Sequence, residues 1–411
     1  MKTMQIILAS LLLMLAHPAV AAYPVAPTGQ LACYDTSGRE MQCLASGVAL
    51  GGQDAAMEKS SLSYRDNGDG TVNDLITGLV WQKSPGAKVT WNEAVSGART
   101  LRLGNSDDWR LPTIKELYSI MDFSGATPMP AGPGGYGGNQ GKPFLDTAYF
   151  DFRYGDVTAG ERIIDAQFWS ATEYTGYTMN GNDTVFGVNF ADGRIKGYPK
   201  SLSGRGENRM FVRYVRGNPE YGHNDFISNY DGTVTDRATG LMWMQADSGY
   251  FNAGPNRDGR MDWAQALTWA GQVKVAGYSD WRLPNAKELQ SIVDYTRSPQ
   301  YTSSAAIAPV FQTSTLLDES WRSNYPFYWS STTHLDGPRG GNKAVYVAFG
   351  EALGYMRMPW GGLPVLMDVH GAGAQRSDPK QGNPAAFPFG FGPQGDIVRI
   401  YNFVRLVRDV E

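Results

Sequence analysis

The stretch Asp108-Trp109-Arg110-Leu111-Pro112 occurs again later in the chain as Asp280-Trp281-Arg282-Leu283-Pro284. Each copy is followed by a residue that caps helices well, and then by a glutamate three positions further on. This spacing is typical of a capping box, in which two side chains accept backbone N–H groups of the first helical turn. Apolar residues at helical spacing follow. The repeated stretch therefore predicts the same helix start twice.

The side chains of this motif have different requirements. We expect Trp109 and Trp281 to lie in the core with the apolar stripe. Arg110 and Arg282 lie among them, and each needs a buried or half-buried acceptor, because a buried charge without a partner is costly. The predicted structural positions are Trp109, Arg110, Glu116, Trp281, Arg282 and Glu288.

Other motifs repeat in the same order. Asp69–Asp74 is echoed at Asp231–Asp236 with an offset of 162, and the motif that contains Trp109 is echoed with an offset of 172. The second copy has therefore gained ten residues, which we place in the loop 252–260. A second capping-box spacing precedes each repeated motif, and short alternating strand patterns surround both helices.

These repeats predict two tandem α+β modules, each with two helices and several short antiparallel strands. The N-terminal arm is expected to pack on the first module, because it is too small to fold alone. A solenoid is disfavoured by the long period and the two copies. The expected divisions are a signal peptide (1–21), an N-terminal arm with a disulfide loop (22–61), module 1 (62–217), a linker (218–225) and module 2 (226–411).

Export is predicted from the first residues. Lys2 precedes an apolar run, 6–15, that is too short to span a bilayer, and Ala19-Val20-Ala21 supplies the small residues of a cleavage site. We expect the protein in the periplasm, at the cell surface or outside the cell, with no membrane span after cleavage. An uncleaved anchor is the alternative. Without residues 1–21, 35 basic and 40 acidic groups remain, which argues against nucleic acid as a partner.

The two cysteines, Cys33 and Cys43, are expected to form a disulfide. Export places them in an oxidising compartment, and a turn at residues 35–38 would bring the sulfur atoms together. Two free thiols are the alternative. A zinc site is disfavoured, because two ligands are too few and the chain has only 4 His.

The motifs, in their order, resemble the Lcl C-terminal domain family, named after the end domain of a bacterial collagen-like adhesin. The matching features are Asp-Gly-Thr-Val-x-Asp, Thr-Gly-Leu-x-Trp, Asp-Trp-Arg-Leu-Pro, Trp-Ser-x-Thr and the closing Val-Arg-x-Val-Arg, each present twice. More distantly, they are similar to C-type-lectin-like and formylglycine-generating-enzyme folds. The resemblance implies a compact α+β module whose variable loops bind. The named relative binds sulfated polysaccharides and forms trimers, but this chain has no basic run for a sulfated ligand.

Candidate ligand-binding residues lie in Gly-rich segments that the two copies do not share. Aromatic side chains there can stack on sugar rings, and loops often carry recognition. Packing of the loop on its own module is the alternative for each of them. The candidates are Tyr136, Tyr250, Trp360, Phe387, Phe389 and Phe391.

A calcium site is a hypothesis for the loop that holds Asp66, Asp69 and Asp74, because oxygen ligands are gathered on a tight turn. It does not fit the EF-hand pattern, since glycines stand where ligands should be. A hairpin turn whose Asp side chains bind their own backbone is the alternative.

Catalysis is not indicated by the sequence. The histidines are expected in a linker and in loops, without the spacing of a Ser/His/Asp or metalloprotease site, and neither module contains a cysteine for formylglycine chemistry. We therefore expect a non-enzymatic adhesion or binding protein that presents loops to a surface glycan or protein. Two alternatives stay open: a glycan hydrolase that uses loop carboxylates, and a structural subunit of a cell-surface assembly.

Overall fold

The computed structural model describes residues 23–57, 60–129, 141–202, 206–338, 340–358 and 361–410. The predicted signal peptide, residues 1–21, lies outside the described residues. In the part of the chain that is described, no helix has the length and apolar character needed to cross a membrane.

The N-terminal arm contains short elements and the predicted disulfide. Cys33 and Cys43 are bonded, and the small hairpin between them consists of β1 and β2. The elements of the arm are β1 (Cys33–Tyr34), β2 (Glu40–Met41) and α1 (Asp54–Met57).

The first module alternates short strands with two helices. In chain order it has β3 (Tyr64–Asp66), β4 (Thr71–Asp74), β5 (Val80–Gln82), α2 (Trp91–Thr100), α3 (Ile114–Ser119), a 3-10 turn (Val157–Ala159), β6 (Gln167–Glu173), β7 (Thr184–Asn189), β8 (Arg194–Pro199), β9 (Ser201–Leu202), β10 (Gly206–Glu207) and β11 (Val215–Arg216).

The second module repeats this order and adds elements. It has β12 (Phe226–Ser228), β13 (Thr233–Asp236), β14 (Leu241–Met244), α4 (Trp263–Ala270), α5 (Ala286–Ser291), α6 (Pro299–Thr302), β15 (Leu316–Leu317), β16 (Ser323–Asn324), β17 (Phe327–His334), β18 (Lys343–Ala348), β19 (Leu353–Met356), β20 (Val365–Asp368), β21 (Gln375–Pro379), a 3-10 turn (Pro384–Ala386) and β22 (Val407–Asp409).

All four predicted capping boxes are present, at the starts of α2, α3, α4 and α5. The predicted α+β class with two tandem modules is confirmed. The strands form several small antiparallel sheets, including β11-β5-β4-β3 in the first module and β12-β13-β14-β22 in the second.

Within the described residues, one sheet of six strands passes through both modules, in the order β17-β18-β21-β8-β7-β6. Its central contact is the pair Gln375 and Ile195. Ile195 pairs with Val188 in the first module, and Gln375 pairs with Val347, the equivalent of Val188, in the second. Equivalent residues therefore pair with each other, so an approximate two-fold axis passes between β8 and β21.

The repeated tryptophans form much of the core. Trp81, Trp169 and their equivalents Trp243 and Trp329 are fully buried. Trp91 is the exception, because it is half-buried under the ammonium of Lys200. The same cation–π contact recurs in the second module, between Lys380 and the fully buried Trp263.

The N-terminal arm was predicted to pack on the first module. In the structure it lies across both modules. The amide side chain of Gln30 both donates to and accepts from the main chain of Thr333 in the second module. Lys380 donates to the carbonyl of Tyr34, and α1 packs against β17. No local pattern in the chain indicates this contact, because it depends on how the two modules meet.

Candidate functional site

An open cleft of about 370 Å³ lies beside the long insertion of the second module. Its walls come from four segments: the β15–β16 hairpin, β19, the turn that contains Phe387, and residues 397–401. Arg260, at the end of the loop 252–260, completes the lining. The loop 252–260, which supplies Arg260, and the long insertion, which supplies the turn that contains Phe387, have no counterpart in the first module.

Three aromatic side chains line the cleft: Tyr355, Phe387 and Tyr401. Tyr355 and Phe387 are half-buried, while Tyr401 is 36% exposed. Burial, and then the charge of nearby Glu319, raises the pKa of Tyr355. The phenol is therefore neutral at physiological pH, and its hydroxyl can donate a hydrogen bond to a ligand.

The charges of the cleft are partly neutralised. Arg399 forms two hydrogen bonds with Glu319, from Nε to Oε1 at 3.0 Å and from Nη2 to Oε2 at 3.2 Å. The Arg399 guanidinium also lies 4.0 Å from the centre of the Phe327 ring, which fixes its plane. Among the described residues, Arg260 forms one ion pair, with Asp258 at 3.8 Å, and its side chain is 48% exposed. The cleft thus combines the fixed Glu319–Arg399 ion pair with the more exposed guanidinium of Arg260.

The β15–β16 hairpin presents an exposed indole at its turn. Trp321 is 82% exposed and adopts a φ of +61°, which bulky side chains rarely adopt. The turn is held by buried Asp318, whose carboxylate accepts the backbone N–H groups of Ser320 and Arg322. Backbone strain of this kind is typical of functional loops.

The comparisons with known proteins match the repeated framework. The model of the Lcl C-terminal domain family matches residues 70–216 and again residues 232–361. The chain belongs to the Lcl C-terminal domain family. Comparisons with curated proteins and with solved structures gave no match. The second family match ends at residue 361, so the cleft walls formed by residues 384–401 lie beyond the matched framework.

The aromatic residues predicted to bind a ligand lie at different places relative to the cleft. Phe387 lines the cleft, and its ring centre is 6.2 Å from that of Phe391. Phe389 packs edge-on against Tyr355 at 5.8 Å. Tyr250 is 55% exposed in a loop that does not line the cleft. Tyr136 and Trp360 lie outside the described residues.

Sequence reasoning did not single out Tyr355, Tyr401, Arg260 or the Glu319–Arg399 pair. One signal was available: the ten-residue gain that ends at Arg260 was visible from the changing repeat offset. Tyr355 and Tyr401 had no such signal, because each belongs to a short segment without periodicity. Only the folded chain brings these segments together.

The calcium hypothesis for Asp66, Asp69 and Asp74 is not supported by the structure. Among the described residues, no three or more His, Cys, Asp or Glu side chains gather in a way that could hold a metal ion. Asp66 pairs with Lys83 at 2.6 Å, and Asp69 and Asp74 accept backbone N–H groups of their own turns. The alternative interpretation, a hairpin turn held by its own carboxylates, therefore applies.

The acids and arginines of the repeated motif have structural partners. Glu116 pairs with Arg110, and Glu288 pairs with Arg282 through two hydrogen bonds of 2.6 and 2.7 Å. Each glutamate is buried and also completes its capping box. Asp409 gives Arg282 a further acceptor at 2.9 Å. Trp109 and Trp281 are buried beside these pairs.

The expectation that the histidines lie in a linker or in loops is wrong for His334, and both His334 and His370 are buried. His334 lies in β17 and is completely buried, with Nε2 2.9 Å from the carbonyl of Asp192 in the first module. His370 is also buried, and its Nε2 is 2.7 Å from Asp396. His334 Nε2 and the His370 carbonyl, which accepts Gly197 N–H at 2.8 Å, both contact the first module, and a local pattern cannot predict such contacts.

Proposed function

We propose that this protein is an exported, non-enzymatic binding protein that recognises a surface carbohydrate chain through the cleft of its second module. The observation that carries the proposal is the open cleft itself, which combines Tyr355, Phe387 and Tyr401 with Arg260 and the Glu319–Arg399 pair. Aromatic faces stack on sugar rings, and fixed polar groups select hydroxyl patterns. A C-type-lectin-like arrangement of the modules is part of the same proposal.

Support for a binding role comes from the way the cleft is built. Its walls are a short hairpin, one strand and loop segments, which a rigid repeated framework positions. Loops positioned by a rigid scaffold often carry recognition. The adhesin-like family fits this role. Export fits the Cys33–Cys43 disulfide, because such bonds persist in oxidising compartments.

A hydrolase is the alternative class of function. Glycoside hydrolysis in its usual form needs two carboxyl groups on either side of the scissile bond. Among the described lining residues, Glu319 is the one carboxylate, and it is held by Arg399. This arrangement favours binding over turnover.

The proposal is tested with an array of bacterial and host glycans probed by the mature protein. We expect at least one class of glycan to bind, and to bind about tenfold more weakly to Tyr355→Ala or Arg260→Ala, a loss of about 1.4 kcal/mol. Tyr301→Ala is the matched control, since Tyr301 is an exposed tyrosine of the same module away from the cleft lining.

Two results would reject this assignment. One is a glycan that binds the Tyr355→Ala and Arg260→Ala variants as well as it binds the wild type. The other is hydrolysis of a bound polysaccharide that Glu319→Gln abolishes, which would establish the hydrolase instead. If no glycan binds and a protein binds at the same cleft, the ligand is a protein and not a carbohydrate.

A further inference from the structure

The approximate two-fold axis creates two equivalent grooves where the modules meet. The first, here called the arm groove, lies between residues 120–124 of the first module and residues 285–287 of the second. The segment 26–30 of the N-terminal arm runs along it, with Ala26, Thr28 and Gln30 buried. The arm is therefore an extended peptide seated in a groove between modules.

Main-chain groups hold the arm in this groove. Phe123 N–H donates to the carbonyl of Thr28 at 2.8 Å. Two residues further along the arm, the Gln30 amide accepts from Thr333 N–H at 2.8 Å and donates to Thr333 O at 2.7 Å. Lys287 donates to the carbonyl of Pro27 at 2.6 Å. The arm contributes backbone carbonyls and one carboxamide, and the modules contribute main-chain groups and the Lys287 ammonium.

The second groove, here called the open groove, lies between residues 113–115 and residues 292–296, the equivalents of 285–287 and 120–124. It has a volume of about 500 Å³ and is lined mainly by apolar atoms. Lys115 donates to Gly222 O and to the end of α5 at Ser291 O, as Lys287 donates to Pro27 O and Ser119 O.

The open groove is left uncovered because the linker is short. After Gly222 the chain enters β12 at Phe226, whereas the arm has the long stretch from Pro27 to Tyr64, the equivalent of Phe226, and uses part of it to fill the arm groove. The linker residues His223 and Asn224 line the open groove, but among the described residues none accepts Tyr295 N–H or bonds the main chain of Glu173 as Thr28 and Gln30 bond their partners in the arm groove.

The main-chain groups that bind the arm have equivalents in the open groove. Tyr295, the equivalent of Phe123, has an N–H that donates to no described residue. Glu173, the equivalent of Thr333, lies in the edge strand β6. Its neighbour Tyr174 donates to Thr184 O across the sheet, so the main-chain groups of Glu173 point away from β7.

We propose that the open groove binds an extended polypeptide segment of a partner protein in the way that the arm groove binds residues 26–30. The segment supplies a backbone carbonyl to Tyr295 N–H and, two residues later, an Asn or Gln side chain to the main chain of Glu173. The open groove thus offers the segment one main-chain donor at Tyr295 and a main-chain donor and acceptor at Glu173 on an exposed sheet edge. It is independent of the proposed carbohydrate cleft.

The residue between these two anchors is small. In the arm groove it is Gly29, where an added Cβ would lie 2.6 Å from the Asp122 carboxylate. Asp294 takes the place of Asp122 in the open groove, and its carboxylate likewise accepts the N–H two residues on, from Thr296 as Asp122 does from Ser124. The preferred segment therefore consists of a residue with an accepting backbone carbonyl, then glycine, then a residue with a carboxamide side chain.

The test uses a synthetic peptide of residues 23–32 with blocked ends, added to the intact mature protein. Amide hydrogen exchange is followed at Tyr295 and Phe123. In the free protein we expect Tyr295 to exchange at least tenfold faster than Phe123, because only Phe123 N–H is hydrogen-bonded. The peptide should slow exchange at Tyr295 by about tenfold at saturation.

Matched controls show whether the protection of Tyr295 comes from a peptide bound in the open groove. A peptide carrying Gln30→Ala should bind at least tenfold more weakly, and Ala308→Arg in the protein, which fills the open groove, should remove the protection of Tyr295. Exchange at Phe123 that is as slow in the Ala308→Arg variant as in the wild type shows that the variant is folded. The proposal is overturned if 1 mM peptide leaves Tyr295 unprotected, or if protection appears only in the arm groove through exchange with the protein's own arm.

Discussion

Arg213 in the first module and Arg405 in the second are equivalent and fully buried, and both donate to backbone carbonyls of neighbouring loops. Arg405 differs in having a buried carboxylate, Asp247, at 3.9 Å. The framework is thus built from the same side chains in both modules. Differences begin where loops attach to that framework, and the second module carries the more elaborate loops.

Removing these arginines should cost more stability than any other change considered below. Arg405→Met should lower the free energy of unfolding by about 3–5 kcal/mol, because it leaves Asp247 as a buried charge without its cation. Arg213→Met should cost less, about 2–4 kcal/mol, because it leaves only carbonyl groups unsatisfied. Urea denaturation measures both.

Arg209→Met, at an exposed position, serves as the control and should change stability by less than about 0.5 kcal/mol. Equal losses for Arg213→Met and Arg405→Met would show that Asp247 adds nothing to the second module.

The boundary between the modules offers a second comparison. His334 in β17 contacts the Asp192 carbonyl of the first module. Its equivalent in the first module, Tyr174, donates to the Asp368 carboxylate of the second at 2.9 Å. Burial, and then Arg194, lowers the pKa of His334 to about 3, and Asp336, Lys343 and Asp192 also act on it. Burial, and then Glu351, raises the pKa of Asp368 to about 7.

These two contacts should respond to acid in opposite directions. The stability associated with His334 is lost as the pH falls from about 6.5 towards 3, because the unfolded chain takes up the proton first. The stability associated with Asp368 is present in acid and lost as the pH rises from about 4 through 7, because the folded chain holds the proton.

We therefore expect opposite shifts from two variants on going from pH 7 to pH 5. Relative to the wild type, His334→Gln should gain, and Asp368→Asn should lose, on the order of 2 kcal/mol of unfolding free energy. Denaturation curves at the two pH values measure the difference. Parallel behaviour of all three proteins would contradict the opposed roles of these contacts.

The helix caps after the repeated motif should have the weakest influence on stability. Asn285 accepts two backbone N–H groups, from Lys287 and Glu288, whereas Thr113 accepts one, from Glu116. Asn285→Ala should therefore cost about 1.5 kcal/mol and Thr113→Ala about 1 kcal/mol. Thr113→Ser keeps the acceptor and serves as the control. A larger loss for Thr113→Ala than for Asn285→Ala would contradict this ranking.

The framework could be predicted because its signals are local. The capping residues, the tryptophans and Arg110 with Arg282 lie within short repeated motifs, so spacing alone indicates their roles. The calcium hypothesis arose because the carboxylates of Asp66 and Asp69 can either accept backbone N–H groups of a turn or bind an ion. The sequence does not show that Asp66 forms an ion pair with Lys83. His334 was predicted in a loop because its place in a buried strand depends on contacts with the other module, which the sequence does not show.

The contact between the modules and the cleft could not be predicted, for a related reason. The six-stranded sheet depends on a single pairing between residues 195 and 375, which are far apart in the chain. The cleft joins Arg260, Tyr355 and Tyr401 from segments without periodicity. Such sites depend on tertiary geometry, so sequence patterns indicate at most the insertions from which they are made.

A hydrogen-exchange map of the protein with a bound glycan from the array decides whether recognition belongs to the second-module cleft. We expect slower exchange in residues 316–319, 353–356, 387–390 and 397–401, with the first module unchanged. Protection confined to the first module, or to segments away from these walls, would refute the assignment of the cleft.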